Sequence, residues 1–171
     1  NICTAISSIP FIRQAGFRIS EKDIKNGLFQ VKRNTGLMGR WQLIQSQPKV
    51  ICDTGHNEHG MLWVSKQLSS VKRNHLHMVI GMVKDKDVSK VLSLLPTDAT
   101  YYFTKANLPR ALDEKELQSL ASSANLKGST YPSVSLALED ALNYAQNDDL
   151  IFIGASSFIV AEALEFFQER N

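Results

Sequence analysis

The chain has 171 residues, of which 43% are hydrophobic and 21% are charged, a composition typical of a globular protein rather than a disordered one. Its net charge of +2 excludes a strongly basic surface for nucleic acid or an anionic membrane, and its two cysteines are too few for a disulfide framework. No apolar run approaches the roughly 18–20 residues that cross a bilayer, and the first residues do not form a signal peptide. We therefore expect a cytoplasmic protein without nucleic-acid or membrane partners.

The chain begins with two predicted helices. Residues 5–16 have a helical pattern, and a second helix is predicted over 20–28, where Ser20 and Asp23 have the spacing of a capping box. The stretch 32–39 is polar and contains glycine, so we interpret it as a linker or a surface loop.

After residue 40, short apolar runs alternate with helical patterns. The runs are rich in Val, Ile and aromatic residues, as buried strands are. They lie at 50–52, 77–83, 101–103 and 150–153. Residues 41–44 are predicted to add one more strand. Helical patterns occupy 58–68, 87–95, 113–124, 135–145 and 158–167. This alternation predicts an α/β, Rossmann-like domain of three layers, with a mainly parallel sheet between helices. We expect Trp41 and Trp63 in the core, and His75 and His77 on the surface.

Polar residues that directly follow the predicted strands are the candidates for function. Ligands of an open parallel sheet bind beyond the carboxyl ends of its strands. Four polar groups occupy those places, at 53–57, 84–87, 104–105 and 154–157. Because the topology gathers these ends on one edge of the sheet, we expect the four groups to converge there.

The group 53–57 (DTGHN) contains the side chains best suited to bind or react with a ligand. A carboxylate that leaves a strand can accept hydrogen bonds from both hydroxyls of a ribose, and an imidazole titrates near neutral pH or donates to a phosphate. Asp53 and His56 would have these roles. The same segment also suits a capping turn with Asn57 as N-cap. A metal site of Asp53, His56 and His59 is a third interpretation, which we disfavour because a further strong ligand is missing.

The other groups are also open to two interpretations. At 154–157, small residues precede a helix whose first amides and dipole favour an anion such as a substrate carboxylate, although Ser156 or Ser157 could simply cap that helix. The group 84–87 suits a solvated loop with Asp87 as N-cap. Neither a G-x-x-x-x-G-K-[ST] loop nor a G-x-G-x-x-G motif occurs, so a nucleotide bound here would need a partner domain for its phosphates.

These motifs, taken in order, resemble one known family. Over essentially its whole length the chain is similar to the C-terminal third of the folylpolyglutamate synthase/dihydrofolate synthase family, relatives of the Mur peptide ligases, through Gly39-Arg40-Trp41-Gln42, Asp53-x-Gly55-His56-Asn57, Lys84-Asp85-Lys86-Asp87-Val88, Arg110-Ala111 and Gly154-x-Ser156. It departs from the family at Met38 and Glu58, where proline is usual, and at Gly55, where alanine is usual.

The resemblance implies a domain organisation and a reaction. Residues 1–36 would be the C-terminal tail of a central ATPase domain, and residues 37–171 a glutamate-ligase domain. The enzyme would use ATP and Mg²⁺ to phosphorylate a folate or dihydropteroate carboxylate, and the amino group of L-glutamate would then attack the acyl phosphate. The phosphate loop and the metal ligands would lie in the missing N-terminal and central domains, so we expect this chain to hold no metal and to be inactive alone.

The resemblance also implies which residues act on the nucleotide. Arg40 would reach the ATP phosphates, where a guanidinium suits the developing phosphoryl charge. Asp53 and Asn1 would contact the nucleotide. Arg40 is therefore one predicted catalytic residue, and His56 is the other.

The remaining implied roles concern the substrate. His56 would orient the glutamate or the phosphate, Ser156 would lie near the glutamate, and Lys86 would meet substrate charge. Two alternatives stay open: a Mur-type ligase that extends a peptidoglycan precursor, and a nucleotide-binding module without catalysis.

Overall fold

The computed structural model describes residues 2–84 and 87–170 and divides the chain into two compact units, the first ending at Met38 and the second beginning at Gly39. Three helices make up the first unit: α1 (Ile2–Gln14), α2 (Glu21–Phe29) and α3 (Val31–Thr35). The two predicted helices are confirmed, and so is the capping box, in which the N–H of Asp23 donates to Ser20 Oγ at 3.2 Å and the N–H of Ser20 to Asp23 Oδ2 at 2.8 Å. The prediction of a loop over 32–39 was wrong where α3 forms.

The second unit is built on a six-stranded sheet. Its strands are β1 (Gln42–Ser46), β2 (Lys49–Asp53), β3 (Leu76–Ile80), β4 (Thr100–Thr104), β5 (Lys127–Tyr131) and β6 (Leu150–Gly154). Their order across the sheet is β1-β2-β6-β3-β4-β5, with β1 antiparallel to β2 and every other pair parallel. The mainly parallel sheet is thus confirmed. β5 was not predicted, because its sequence KGSTY lacks an apolar run and it pairs on one side only, at the edge of the sheet.

Five helices cover the two faces of this sheet. They are α4 (Glu58–Ser70), α5 (Val88–Leu92), α6 (Glu114–Ser122), α7 (Val134–Tyr144) and α8 (Ser157–Gln168). One core contains Met61 of α4, Leu92 of α5 and Leu117 of α6, and the other contains Leu138 of α7 and Ile159 of α8. The strands contribute alternate residues to each core, since successive side chains point to opposite faces. The predicted three layers are confirmed.

Two expectations about burial were wrong. Trp63 is 65% exposed, because Met61, Val64 and Leu68 form the inward face of α4 and Trp63 lies on the outer face. His77 is only 5% exposed and lies between distant partners: its Nδ1 is 2.9 Å from the hydroxyl of Tyr102, and its Nε2 is 3.4 Å from a carboxylate oxygen of Asp149. Burial lowers the pKa of His77, against the opposing effect of that carboxylate.

No helix among residues 2–84 and 87–170 has both the length and the apolar surface that crossing a bilayer requires.

Candidate functional site

The carboxyl ends of β2, β6 and β3 lie side by side at the centre of the sheet edge. In the parallel register, Asp53 at the end of β2 is opposite Gly154 at the end of β6, and Ile80 at the end of β3 is opposite the same glycine. The polar groups predicted after β2 and β6 are therefore neighbours, although about a hundred residues separate them in sequence.

Asp53 holds two loops together at this edge. Its Oδ2 accepts a hydrogen bond from the backbone N–H of Trp41 at 2.8 Å, and its Oδ1 accepts one from the N–H of Gly55 at 2.7 Å. Trp41 has a φ of 42°, a left-handed conformation that costs a non-glycine residue roughly 1–2 kcal/mol. Since an ionised carboxylate has about four acceptor positions, Asp53 can still accept from a ligand. The sequence did not reveal this bridging role, because both of its partners are backbone groups.

Arg40 lies in the loop that Asp53 holds. Its Nη1 donates to Thr54 Oγ1, and the backbone N–H of Thr54 donates to the carbonyl of Gly39 at 2.8 Å. Gly39 has a φ of 69°, and a Cβ added there would lie 2.6 Å from Thr54 Cγ2. Only glycine allows this approach. The guanidinium is exposed at the end of β2, with further N–H donors available to a ligand.

His56 is exposed and its imidazole has a defined tautomer. Its Nδ1 is 2.9 Å from the carbonyl oxygen of Thr54, which can only accept, so Nδ1 carries the proton and Nε2 is left for a ligand. The next residue, Asn57, caps α4 by accepting from the N–H of Gly60 at 2.8 Å. The capping interpretation of 53–57 is thus confirmed for Asn57, and it leaves the side chain of His56 available to contact a ligand.

Ser156 and His56 line the same small cavity, of about 100 Å³. Ser156 is 5% exposed and is the N-cap of α8, where its Oγ accepts from the N–H of Phe158 at 3.3 Å. The capping interpretation of 154–157 is therefore confirmed, and the serine still faces the cavity. Arg40 and Asp53 are not among the residues that line it. Asp53 is the last residue of β2, and Arg40 is hydrogen-bonded to Thr54, the residue after it.

Arg110 also lines this cavity, and no role had been assigned to it from the sequence beyond its place in a motif. It comes six residues after the end of β4, so a search confined to residues directly after strands does not reach it. A bridge between Val83 and Ala111 brings it back beside β3: the N–H of Lys84 donates to the carbonyl of Arg110 at 3.1 Å. Its guanidinium carbon lies 5.1 Å from the ring centroid of Phe158.

A second, larger cavity of about 650 Å³ opens farther along the same edge, past β4. Lys105, from the predicted group 104–105, lines it, but its charge is balanced: Nζ lies 2.7 Å from a carboxylate oxygen of Glu114 and 3.1 Å from one of Asp113. Hydrogen bonds to Glu114 and Asp113 raise the pKa of this lysine. Glu162 adds another carboxylate to the lining, so this cavity carries both signs of charge.

The group 84–87 is described only at its ends. Asp87 is the N-cap of α5 and accepts from the N–H of Lys90 at 3.3 Å, which confirms the capping interpretation. Asp85 and Lys86, and also Asn1, lie outside the described residues. The roles expected for Asn1 and Lys86 stay predictions.

Within the described part of the chain, no group of three or more His, Cys, Asp or Glu side chains is placed to hold a metal ion. Asp53, His56 and His59 therefore do not form a metal site there.

A three-layer domain with a cavity beyond the carboxyl ends of its central strands belongs to the class of open α/β domains, whose ligands bind in a crevice at that edge of the sheet. The family described as Mur ligase, glutamate ligase domain, matches residues 39–157, and the chain belongs to this family.

Among proteins of known function, the chain is 28% identical to the dihydrofolate synthase/folylpolyglutamate synthase of Escherichia coli (strain K12), over 100% of its own length and 38% of that protein's. The structure of E. coli FolC in complex with ADP, without folate substrate, superimposes with a TM-score of 0.81 at 26% identity, covering 99% of this chain and 39% of that one. A bifunctional folylpolyglutamate synthase/dihydrofolate synthase with Mn, AMPPNP and L-glutamate bound shares the fold, with a TM-score of 0.78 at 22% identity, and the match covers 94% of this chain and 38% of that one. The chain thus spans well under half the length of these relatives.

Proposed function

We propose that this chain is the glutamate-binding part of an ATP-dependent ligase that joins L-glutamate to the carboxylate of a folate or a dihydropteroate. The observation that carries the proposal is the cavity shared by His56 and Ser156, together with the hydrogen bond from Arg40 to Thr54, two residues before His56, in a domain of the Mur ligase family. The relatives named above support it, because their names give both synthase activities. One of the two structures contains ADP, and the other contains L-glutamate.

The proposed reaction has two steps. A carboxylate oxygen of the folate or dihydropteroate attacks the terminal phosphorus of ATP, which yields an acyl phosphate and ADP. The amino nitrogen of L-glutamate then attacks the acyl carbon, the bond from that carbon to the phosphate oxygen breaks, and inorganic phosphate leaves. The nitrogen loses a proton as the amide forms, so the step needs a proton acceptor near the amine.

Arg40 is the proposed donor to the phosphoryl group. Both steps place negative charge on phosphate oxygens, and a preorganised guanidinium stabilises such charge more than it stabilises the ground state. The hydrogen bond to Thr54 and the bridge through Asp53 keep the arginine loop in place before the substrates bind. A contact of Asp53 with the nucleotide, expected from the resemblance, uses the acceptor positions that the backbone leaves free.

His56 and Ser156 are the proposed contacts for the amino acid. With Nδ1 donating to Thr54, Nε2 is the ring nitrogen left to accept a hydrogen bond from the attacking amine and then its proton. Ser156 brings a hydroxyl and the first turn of α8 to the same cavity, where helix amides favour a carboxylate. In this arrangement the amine would lie near His56 and a carboxylate near Ser156.

The rest of the active site would come from elsewhere in the full-length protein. We propose that residues 1–36 belong to a central ATPase domain and that residues 37–171 form the glutamate-ligase domain. The missing domains would supply the phosphate loop and the ligands of a divalent metal, Mg²⁺ in the proposal, since the described residues offer no such ligand set. Asn1 and Lys86 are proposed contacts for the nucleotide and for substrate charge. Cytoplasmic folate metabolism is the proposed setting.

The test is an assay of the full-length protein with ATP and radiolabelled L-glutamate. We expect glutamate to be incorporated into dihydropteroate, a folate or both, with one ADP released for each amide formed. The isolated chain is the control, and we expect no turnover from it. Incorporation into a nucleotide-linked muropeptide instead would favour the Mur-type ligase. Nucleotide binding without any incorporation would favour a non-catalytic module. Either result would overturn the proposal.

A further inference from the structure

We propose that the indole ring of Trp41 positions the guanidinium of Arg40 for the phosphoryl group. The inference rests on the proposed function, in which Arg40 donates to that group, and it adds a positioning residue. Trp41 directly follows Arg40 in the sequence. The ring of Trp41 is partly buried and packs against the core, whereas Arg40 is exposed.

The backbone of Trp41 has a conformation that a bulky residue rarely adopts. Its φ of 42° lies in the left-handed region, where a Cβ comes close to the following carbonyl oxygen. Gly39 is also left-handed, with a φ of 69°, but a glycine takes this conformation without a steric cost. Arg40 therefore lies between two left-handed residues, of which only Trp41 is strained. A strained residue of this kind persists only where its surroundings hold it.

Two contacts hold Trp41 in this conformation. Its ring centroid lies 6.2 Å from that of Phe152, with 38° between the ring planes, in the range of favourable aromatic pairs. Phe152 is fully buried in the middle of β6. The backbone N–H of Trp41 donates to Asp53 Oδ2, at the end of β2, at 2.8 Å. Trp41 thus joins the arginine loop to two neighbouring strands of the sheet.

The ring contact differs from the other contacts of the loop in its relation to water. The N–H of Gly39 donates to Gln42 Oε1 at 2.8 Å, and the carbonyl of Gly39 accepts from the N–H of Thr54 at 2.8 Å. Arg40 itself donates to Thr54 Oγ1. Water can replace a partner in a hydrogen bond, but it does not replace the apolar contact of a ring with the core. We therefore expect the ring to contribute most to the order of the arginine loop.

The test is a double-mutant cycle in the full-length enzyme. Trp41→Gly removes the ring, and glycine can keep the φ of 42° without strain. Because a small displacement of a catalytic group costs much of its effect, we expect Trp41→Gly to lower kcat by about 10-fold. This is less than the ~10²–10³ expected for removal of the arginine. The KM for L-glutamate should stay within about threefold of the wild type. Trp41→Phe keeps an aromatic ring against Phe152 and should keep kcat within about threefold.

The second arm of the cycle places Trp41→Gly in an enzyme that already carries Arg40→Ala. If the ring acts through the guanidinium, Trp41→Gly should now lower kcat by less than about twofold, because no guanidinium remains to be positioned. A ring that only supported the fold would reduce the amount of folded enzyme. It would then lower the measured kcat by the same factor with and without the arginine.

Trp63→Gly is the matched control. It applies the same substitution to the second of the chain's two tryptophans, which is 65% exposed on the outer face of α4. Glycine inside a helix is destabilising, so this variant also loses stability. Its kcat should stay within about twofold of the wild type, because it leaves the arginine loop intact.

The outcomes separate the positioning role from the proposed function. Equal losses of kcat with and without Arg40 would overturn the inference, and so would a wild-type kcat in Trp41→Gly or in Arg40→Ala. If Trp41→Gly does not fold, Trp41→Leu, which keeps apolar bulk without a ring, enters the same cycle under the same criterion. A wild-type enzyme that ligates no glutamate would refute the proposed function itself. A wild-type enzyme that ligates glutamate but gives equal losses would refute the positioning role alone.

Discussion

The two hydrogen bonds of the Asp53 carboxylate predict how the loops at Trp41 and Gly55 respond when Asp53 is replaced. Replacing Asp53 with alanine removes both of its backbone hydrogen bonds, to Trp41 and to Gly55. Replacing it with asparagine keeps one acceptor oxygen but turns the other into an NH₂ group, which faces a backbone donor. The alanine variant should therefore loosen both loops, and the asparagine variant one of them.

The magnitude follows from the strength of charge-assisted hydrogen bonds. Each is worth about 1.5–3 kcal/mol, and because Asp53 is only half-buried and water can replace it, the lower end applies. About 1.5 kcal/mol corresponds to roughly a tenfold change in the equilibrium between closed and open loop. In Asp53→Ala, the amides of Trp41 and Gly55 should each exchange with solvent about ten times faster than in the wild type. In Asp53→Asn, only one of the two should do so.

Site-resolved amide hydrogen exchange of the wild type and both variants measures this directly. Asp87→Ala is the control, since Asp87 also accepts a backbone hydrogen bond at 3.3 Å, but from Lys90 at the start of α5 rather than from either loop. It should leave the amides of Trp41 and Gly55 at wild-type rates. Wild-type exchange of these two amides in Asp53→Ala would refute the reasoning, because the carboxylate would then not hold the loops.

Three further predictions concern activity, pH and packing. In the full-length enzyme, Arg40→Ala should lower turnover by ~10²–10³, as the loss of one transition-state donor does, and unchanged steady-state kinetics would reject its role. His77 has a lowered pKa in the folded state, so its neutral form stabilises the fold fully above the ordinary pKa of 6.5 and less as pH falls below it. His77→Gln should flatten the dependence of the urea midpoint on pH between about 7 and 5, and an equal slope in both proteins would contradict this. A Cβ at Gly81 would lie 2.5 Å from a backbone carbonyl oxygen, so Gly81→Ala should destabilise the domain by about 1–3 kcal/mol in urea unfolding, whereas Gly27→Ala, where nothing lies within 4 Å, should not.

The buried strands and the helices were predictable because their sequences carry the signal locally. The residues of β6 are apolar throughout and buried on both faces, and the inward face of α4 repeats at helical spacing. β5 carries no such signal, because a strand with one free edge needs fewer apolar residues, and its place depends on pairing with β4. His77 was misplaced for a related reason: Asp149, which makes its burial tolerable, lies far away in the sequence.

Candidate site residues were predictable where a reactive side chain directly follows a strand in the sequence. His56 and Ser156 were found by that rule, and the structure places them at one cavity. Arg110 was not given a role, because its position depends on a loop that returns to β3 through the bridge at Val83. The part played by Asp53 in holding the loops was also hidden, since a sequence does not show which backbone amides a carboxylate will meet.

The place of β6 in the sheet has a consequence for how the domain is made. It is the last strand along the chain, yet it lies between β2 and β3, so those two strands have no common partner until it is synthesised. During translation β2 and β3 therefore each keep one unpaired edge until β6 has been synthesised, and the sheet is complete only after residue 154. A chain truncated before β6 would also lack Ala155, Ser156, Ser157 and Phe158, four of the described residues that line the small cavity.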